Sequence, residues 1–227
     1  MIYPDWPAPG AVRAVTTTRQ GGVSETPFDA LNLADHVGDR PESVQQNRAW
    51  LRQRLGLPAE PGWLQQVHGS SVVACDSVAP RPPADAGYTD RRGVVCAVLT
   101  ADCLPVLFCD RQGTRVAAAH AGWRGTVACI GRATVAKMVE RFGCQPTDIR
   151  AGIGPSIGPC CYEVGDDLLA CFTAEEARAV ADDLDKDVGD AFRLYESVFR
   201  IVGIYETGEP IEDGAAVEYG APLMIIE

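Results

Sequence analysis

The segment VVCAVLTADCLPVLFCDRQGTRVAAAHAGWRG, residues 94–125, contains three apolar runs separated by short breaks. Residues 94–99 and 106–109 are almost continuously apolar, which is typical of buried strands. Residues 115–119 form the third run, which follows a tight turn at Gly113. A glycine-rich turn then leads into residues 126–142, where apolar side chains recur at helical spacing before Gly143. The segment therefore predicts neighbouring buried strands followed by a helix.

Signals on both sides of this segment extend the pattern. Residues 12–18 are rich in β-branched side chains and predict a strand, and Pro41 and Gly56 delimit a helix over residues 41–55. We also predict strands at 63–68, 71–75 and 149–153, a proline-rich loop at 79–93, and a helix that starts near residue 165. Strands and helices mix without strict βαβ alternation, which indicates an α/β (α+β) fold in layers with mixed sheets.

The composition limits the class of protein. The chain has 227 residues, of which 46% are hydrophobic and 22% charged, so it can bury a core of its own. A net charge of −11 argues against nucleic acid or an anionic membrane surface as partner. The longest apolar stretch, residues 94–109, is interrupted and too short to cross a membrane. Nine cysteines without a CxxC pair, and no leader-like start, predict a reduced cytoplasmic compartment.

Histidine is scarce in this chain, since it occurs only at positions 36, 68 and 120. His68 lies where a predicted strand breaks at a glycine, Cys103 lies between two apolar strands, and His120 ends a strand. Two imidazoles and a thiolate are three good ligands for a tetrahedral zinc ion that keeps one open position. However, these residues are 35 and 17 positions apart, so no local motif supports a metal site, and packed core side chains are the simpler interpretation.

The same residues allow two other interpretations. A Cys103 thiolate beside a histidine would be a nucleophile pair. One cysteine and two histidines are also the donor set of a blue-copper centre, although three histidines cannot build the trinuclear cluster of a multicopper oxidase. Spacing alone leaves these interpretations open.

Two charged residues lie beside these candidates. Asp102 precedes Cys103 and would be either an outer partner of the ligands, a general base or a turn aspartate. Arg124 precedes the predicted helix, where it would hold an anion together with helix N–H groups, or else lie on the surface.

Five segments carry a resemblance to a known family. They are TTRQGGVSETPFDALNLADHVGD (17–39), QQVHGS (65–70), TADCLPVLF (100–108), AAHAGWRG (118–125) and AGIGPSIGPCCYEVG (151–165). In this order, over about residues 10–175, they resemble the YfiH-type laccase-domain family. Its members are also called multicopper polyphenol oxidases and purine nucleoside phosphorylases.

The resemblance implies a layered α/β/β/α fold and a zinc site formed by His68, Cys103 and His120, which would also be catalytic, with Asp102 beside them. It implies a purine nucleoside phosphorylase with methylthioadenosine phosphorylase and adenosine deaminase activity. Arg124, and more weakly Arg48, would bind phosphate. The alternative is a laccase-like polyphenol oxidase that uses Cu²⁺. The partners would then be small molecules, and the protein a monomer or homodimer.

The end of the chain departs from the family's pattern after Asp187. Residues 204–227 resemble the closing hairpin of biotinyl and lipoyl carrier domains, but no lysine follows Lys186 to carry the cofactor. We therefore predict a catalytic domain over residues 1–187 and an atypical tail over 188–227, whose strands pack on the same domain. If this tail impairs the pocket, a binding protein without turnover is the non-enzymatic alternative. A cysteine-dependent hydrolase is a more distant one.

Overall fold

The computed structural model describes residues 1–76, 82–157, 170–171 and 222–226. Three helices lie in this part of the chain: α1 (Pro41–Leu55), α2 (Trp123–Val127) and α3 (Ile130–Phe142). A single 3₁₀ turn covers Pro146–Asp148. The strands are β1 (Val12–Thr16), β2 (Val72–Ala74), β3 (Ala86–Thr89), β4 (Val95–Ala97), β5 (Leu104–Asp110), β6 (Val116–Ala121), β7 (Ile149–Ile153) and β8 (Pro222–Ile226).

The described strands form two sheets. The larger one has the order β2-β3-β6-β5-β7, and the smaller one has the order β1-β8-β4. In the larger sheet β2 and β3 are parallel and the other neighbours are antiparallel, which confirms the prediction of a mixed sheet. The three apolar runs of the opening segment correspond to β4, β5 and β6.

Alternation along the strands builds the layers. Val106 and Phe108 of β5 pack in one cluster with Met138 of α3, whereas Leu107 packs on the opposite side with Val12 of β1. This period of two is expected for a strand that is buried on both faces. A third cluster joins the outer face of the smaller sheet to α1. The order of layers is therefore α3, larger sheet, smaller sheet and α1, which confirms the layered α/β/β/α fold.

Helix α1 covers the predicted residues 41–55. It has proline in its first turn, and Gly56 caps its last turn with a φ of 60°. Glycine adopts this left-handed conformation at little cost, which is why the helix ends there. Asn47 of α1 is buried and bonds the polypeptide that precedes the helix.

Three predictions about local structure are wrong. The predicted single helix over 126–142 is two helices, because Cys129 has a left-handed φ of 60° that separates α2 from α3. The predicted loop over 79–93 contains β3, whose four residues are all buried. The predicted strand over 63–68 is reduced to one isolated bridge, between Gln65 and Pro83, and a second bridge just before it pairs Gly62 with Cys96.

Part of the predicted tail can be described. Strand β8, at residues 222–226, lies between β1 and β4 and is antiparallel to both. The rest of residues 188–227, and the helix predicted near residue 165, lie outside the described residues, so the division at residue 187 stays a prediction. No helix in the described ranges has both the length and the apolar character needed to span a bilayer.

Candidate metal centre

The fold brings the three predicted ligands together. Cys103 immediately precedes β5, and His120 lies near the end of β6, where it is the register partner of Pro105. His68 lies in a turn just before β2. The ligand atoms of the three residues all lie within 4.8 Å of one another. Pairing of β5 with β6 therefore brings Cys103 and His120 together, although their spacing along the chain does not predict that they are neighbours.

The centre is open on one side. His120 is only 3% exposed, Cys103 is half-buried and His68 is exposed. The rings of His68 and His120 meet edge to face, with their centroids 4.7 Å apart and an interplanar angle of 79°. A ligand would therefore reach the group from the side of His68.

Gly122 packs directly against the candidate ligands. A Cβ atom at this position would lie 2.8 Å from Sγ of Cys103 and 3.0 Å from Cδ2 of His68. Both distances are too short for a side chain to be accepted without movement of the ligands. A side chain at position 122 would therefore push Cys103 and His68 away from their present positions.

Asp85 contacts the candidate ligands and was missed by the sequence analysis. Its side chain is fully buried, and its Oδ1 lies 2.9 Å from Nδ1 of His120. The backbone N–H groups of Val67, His68 and Gly69 also donate to its carboxylate. An aspartate between two buried alanines, in PPADAGYT (82–89), is the one signal in the sequence that points to it.

Burial and hydrogen bonding act in opposite directions on this aspartate. Burial alone would raise the pKa of Asp85, but the hydrogen bonds from His120 and from the N–H groups of Gly69 and Val67 outweigh burial and lower it. Asp85 is therefore ionised at neutral pH. Because a carboxylate only accepts hydrogen bonds, Nδ1 of His120 must carry the proton between them.

The two histidines have opposite pKa shifts. Burial by itself would lower the pKa of His120, but hydrogen bonds to Asp85 and Cys103 raise it to about 9. For His68, burial lowers the pKa, and the positive charges of His120 and Arg124 lower it further against the opposing effect of Asp85. The raised pKa of His120 means that a metal ion has to compete with a proton for this imidazole.

The donor set fits a zinc ion. Sγ of Cys103 lies 3.9 Å from Nε2 of His68. A tetrahedral zinc ion with bonds of about 2.3 Å to sulfur and about 2.0 Å to nitrogen holds these atoms about 3.6 Å apart. The hydrogen bond of Nδ1 to Asp85 leaves Nε2 of His120 as a ligand atom, as in carboxylate–histidine–zinc arrangements. The three residues therefore form a possible metal-binding group, and its chemistry suits zinc or copper.

Asp102 is exposed, next to Cys103. Its backbone carbonyl accepts a hydrogen bond from the N–H of Ile157 at 3.0 Å, which links it to the loop after β7. The carboxylate that contacts His120 belongs to Asp85 instead. A catalytic role of Asp102 stays a prediction.

The two arginines predicted to bind phosphate differ in their surroundings. Arg124 is exposed, and its Cζ lies 4.0 Å from the centroid of the Trp123 ring. Its positive charge is close enough to His68 to lower the pKa of that imidazole. Arg48 is half-buried, and its guanidinium donates twice to the carbonyl of Leu33 and lies over Trp63. Helix α2, which begins at Trp123, has only five residues, so Arg124 itself is the anion-binding candidate.

Curated relatives and solved structures resemble this chain over most of its length. A protein of Pseudomonas aeruginosa named a purine nucleoside phosphorylase is 51% identical over 178 residues, which are 78% of this chain and 71% of the relative. The purine nucleoside phosphorylase YfiH of Escherichia coli is 45% identical over 208 residues, which are 90% of this chain and 84% of the relative.

The fold is shared with solved structures. The crystal structure of Neisseria meningitidis protein NMB0706 has a TM-score of 0.81 and 36% identity, and the match covers 100% of this chain and 98% of that one. YlmD from Geobacillus stearothermophilus has a TM-score of 0.76 and 27% identity, over 97% and 93% of the two chains. The model of the multi-copper polyphenol oxidoreductase laccase family matches residues 13–208. This chain belongs to that family, whose relatives include the YfiH purine nucleoside phosphorylases.

Proposed function

We propose that this chain is a cytoplasmic, zinc-dependent purine nucleoside phosphorylase that also phosphorolyses methylthioadenosine and deaminates adenosine. The observation that carries the proposal is that the ligand atoms of His68, Cys103 and His120 lie within 4.8 Å of one another. Relatives named purine nucleoside phosphorylase, at 51% and 45% identity, support the substrate class.

Each residue of the centre has a distinct task in this proposal. His68, Cys103 and His120 would hold the zinc ion, which when bound supplies Lewis-acid chemistry at one open position. Asp85 fixes the ring of His120 through Nδ1. Asp102, exposed beside Cys103, is the proposed general base.

Phosphorolysis also needs a place for the second substrate. A phosphate oxygen forms a bond to the anomeric carbon of the nucleoside while the bond from that carbon to the base breaks. The guanidinium of Arg124 is exposed and near His68, so it would hold phosphate by charge-assisted hydrogen bonds. Arg48 is the weaker candidate, because its guanidinium already donates to Leu33.

A copper-dependent, laccase-like polyphenol oxidase is the second candidate. The description of the matching family favours it, and one cysteine with two histidines is a donor set for copper. The chain contains three histidines, so copper chemistry here would have to use a single ion rather than a trinuclear cluster.

The metal content of the purified protein tests the proposal. Wild type, His120→Ala and His36→Ala are compared by elemental mass spectrometry. His36 is the matched control because it is exposed, with 66% of its side chain accessible. We expect about one zinc ion per chain in wild type and in His36→Ala, and a sharp loss in His120→Ala.

Activity follows with the same three proteins. We expect phosphate-dependent release of base from inosine, adenosine and methylthioadenosine, and deamination of adenosine, in wild type and His36→Ala only. Bound copper with oxygen uptake on phenols would support the second candidate. Metal-free wild type, or metal with no turnover of nucleosides, would contradict the proposed function.

We further propose that the partners are small molecules rather than nucleic acid or membrane, and that the protein is a monomer or homodimer. Light scattering of the purified chain measures its oligomeric state. A catalytic domain over residues 1–187 with an attached tail over 188–227 is proposed as well. Truncation after residue 187 tests that division. Because it also removes β8, which pairs with β1 and β4, zinc retained by the shortened chain would show that residues 1–187 fold without the tail.

A further inference from the structure

A single buried carboxylate contacts both histidines of the centre. The side chain of Asp85 is fully buried, one residue before β3. Its Oδ1 accepts from the backbone N–H of His68 at 2.9 Å and lies 2.9 Å from Nδ1 of His120. Its Oδ2 accepts from the N–H groups of Gly69 at 2.7 Å and Val67 at 3.2 Å. Four partners use the full acceptor capacity of the two oxygens.

These contacts determine the backbone conformation at His68. Its φ is 58°, a left-handed value that a residue with a Cβ adopts only when the surroundings favour it. In this conformation three successive N–H groups, from Val67 to Gly69, point at one carboxylate and form an anion-binding concavity. The charge of Asp85 therefore stabilises the turn that directs the His68 ring toward Cys103.

The same carboxylate determines the orientation of the second imidazole. The backbone N–H of His120 donates to the carbonyl of Asp85 at 2.7 Å, so ring and backbone are both bound to one residue. Because both carboxylate oxygens accept from N–H donors, Nδ1 of His120 is the donor in their contact. Nε2 is then the ring atom that remains for a ligand.

From these contacts we infer that Asp85 is the positioning residue of the centre, which holds both histidines in place before a metal ion arrives. The inference rests on the proposed metal site. It predicts that the arrangement around Asp85 is present in the metal-free protein, and that its loss weakens metal binding rather than removing a ligand.

The test compares Asp85→Asn with Asp110→Asn in the full chain. Asp110 is a suitable control, because it is only 2% exposed and its carboxylate also accepts from backbone N–H groups, those of Thr114 and Arg115. It lies at the opposite end of β5 from Cys103. Each variant therefore replaces one oxygen of a buried, hydrogen-bonded carboxylate by an NH₂ group that cannot accept.

Zinc affinity, measured by competition with a chelating dye, is the first measurement. We expect Asp85→Asn to bind zinc about 10–100-fold more weakly than wild type, the range for partners of metal-bound histidines, and Asp110→Asn to match wild type. Wild-type affinity in Asp85→Asn, or an equal loss in Asp110→Asn, would overturn the inference.

The second measurement is made on metal-free wild type and needs no variant to fold. With ¹⁵N-labelled histidine, of which the chain has three residues, NMR should show a low-field, slowly exchanging Nδ1 proton on His120. In a uniformly ¹⁵N-labelled sample, the amides of residues 67–69 should be protected from exchange. Absence of both signatures would overturn the inference. If wild type bound no zinc, the proposed function would fail, while these signatures would still support or overturn the positioning by Asp85.

Discussion

Sγ of Cys103 lies 3.9 Å from Nε2 of His68, although 35 residues separate them along the chain. Strand pairing creates this proximity. The start of β5 faces the end of β6, as Leu104 pairs with Ala121, so Cys103 comes beside His120, and the turn at His68 is held against the same place by Asp85.

Removal of the thiol should abolish metal binding. We expect Cys103→Ala to lose more zinc affinity than the roughly 10–100-fold typical of changes outside the direct ligands, and to lose nucleoside phosphorolysis with it. Cys171→Ala, at an exposed cysteine, is the control and should keep both. Zinc content and turnover are measured together. Full zinc and full activity in Cys103→Ala would rule out this ligand assignment.

A methyl group at position 122 should disturb both the centre and the stability of the fold. In Gly122→Ala the new Cβ would lie 2.8 Å from Sγ of Cys103, so a ligand must move. We expect kcat/KM to fall by roughly 10–100-fold and the unfolding free energy by about 1–3 kcal/mol. In the control, Gly10→Ala, no atom lies within 4 Å of the new Cβ. Kinetics and thermal unfolding are compared, and equal behaviour of the two variants would contradict the prediction.

Loss of the guanidinium beside His68 should affect phosphate more than nucleoside. We expect Arg124→Ala to raise the KM for phosphate by roughly 10–100-fold, the value of one charge-assisted hydrogen bond, with a smaller change for inosine. The control is Arg132→Ala, which changes an exposed arginine on the neighbouring helix α3. Initial rates at varied phosphate concentration measure the effect. An unchanged KM for phosphate in Arg124→Ala would shift attention to Arg48.

The buried amide of Asn47 should be important for stability. Its Oδ1 accepts from the N–H of Val23 at 2.8 Å, and its Nδ2 donates to the carbonyls of Ala30 and Asn32. Asn47→Ala removes all of these hydrogen bonds, and we expect a loss of about 2–4 kcal/mol in the free energy of unfolding. Gln46→Ala, exposed on the same helix, should change stability little. Urea unfolding measures both, and a similar small loss in each would refute the prediction.

The carboxylate of Asp39 should make stability depend on pH in the acid range. Burial raises the pKa of Asp39, but hydrogen bonds from Ser24 and Asn32 outweigh burial and lower it below 3.8. A carboxyl group with a lowered folded-state pKa contributes its stability fully above the unfolded pKa and loses it as pH falls through the folded value. Asp39→Asn should therefore be less stable than wild type at neutral pH.

The difference in unfolding free energy between wild type and Asp39→Asn should shrink as the pH falls below 3.8. Urea titrations at neutral and at acid pH measure it. A difference that stays constant over this range would show that Asp39 acts through its shape rather than its charge.

The sequence predicted secondary-structure elements whose ends are determined by the residues at those ends. Pro41 and Gly56 delimit α1 because each acts on the backbone where it stands. The break at Cys129 could not be predicted, because nothing in a cysteine side chain favours a left-handed φ of 60°. Strand β3 was missed because its buried residues, AGYT, follow prolines and include a glycine, and burial on both faces depends on its neighbours.

The three candidate ligands could be predicted from the sequence, but the residue that hydrogen-bonds to them could not. The resemblance pointed to His68, Cys103 and His120, which the structure brings together. Asp85 accepts hydrogen bonds from the backbone N–H groups of residues 67–69. Because every residue except proline has a backbone N–H group, no sequence pattern predicts these contacts. Spacing also favoured Asp102, since it adjoins Cys103, whereas the carboxylate that contacts His120 is that of Asp85, just before β3.

The central strand of the smaller sheet comes from residues 222–226, whereas its two neighbours come from residues 12–16 and 95–97. During synthesis, β1 and β4 leave the ribosome long before the strand that pairs with both. The larger sheet and α3 use only residues 72–153, so they can assemble while the chain is still growing. Until residues 222–226 are synthesised, β1 and β4 lack the strand that pairs with both of them, and an unpaired strand edge is a place where other chains can pair.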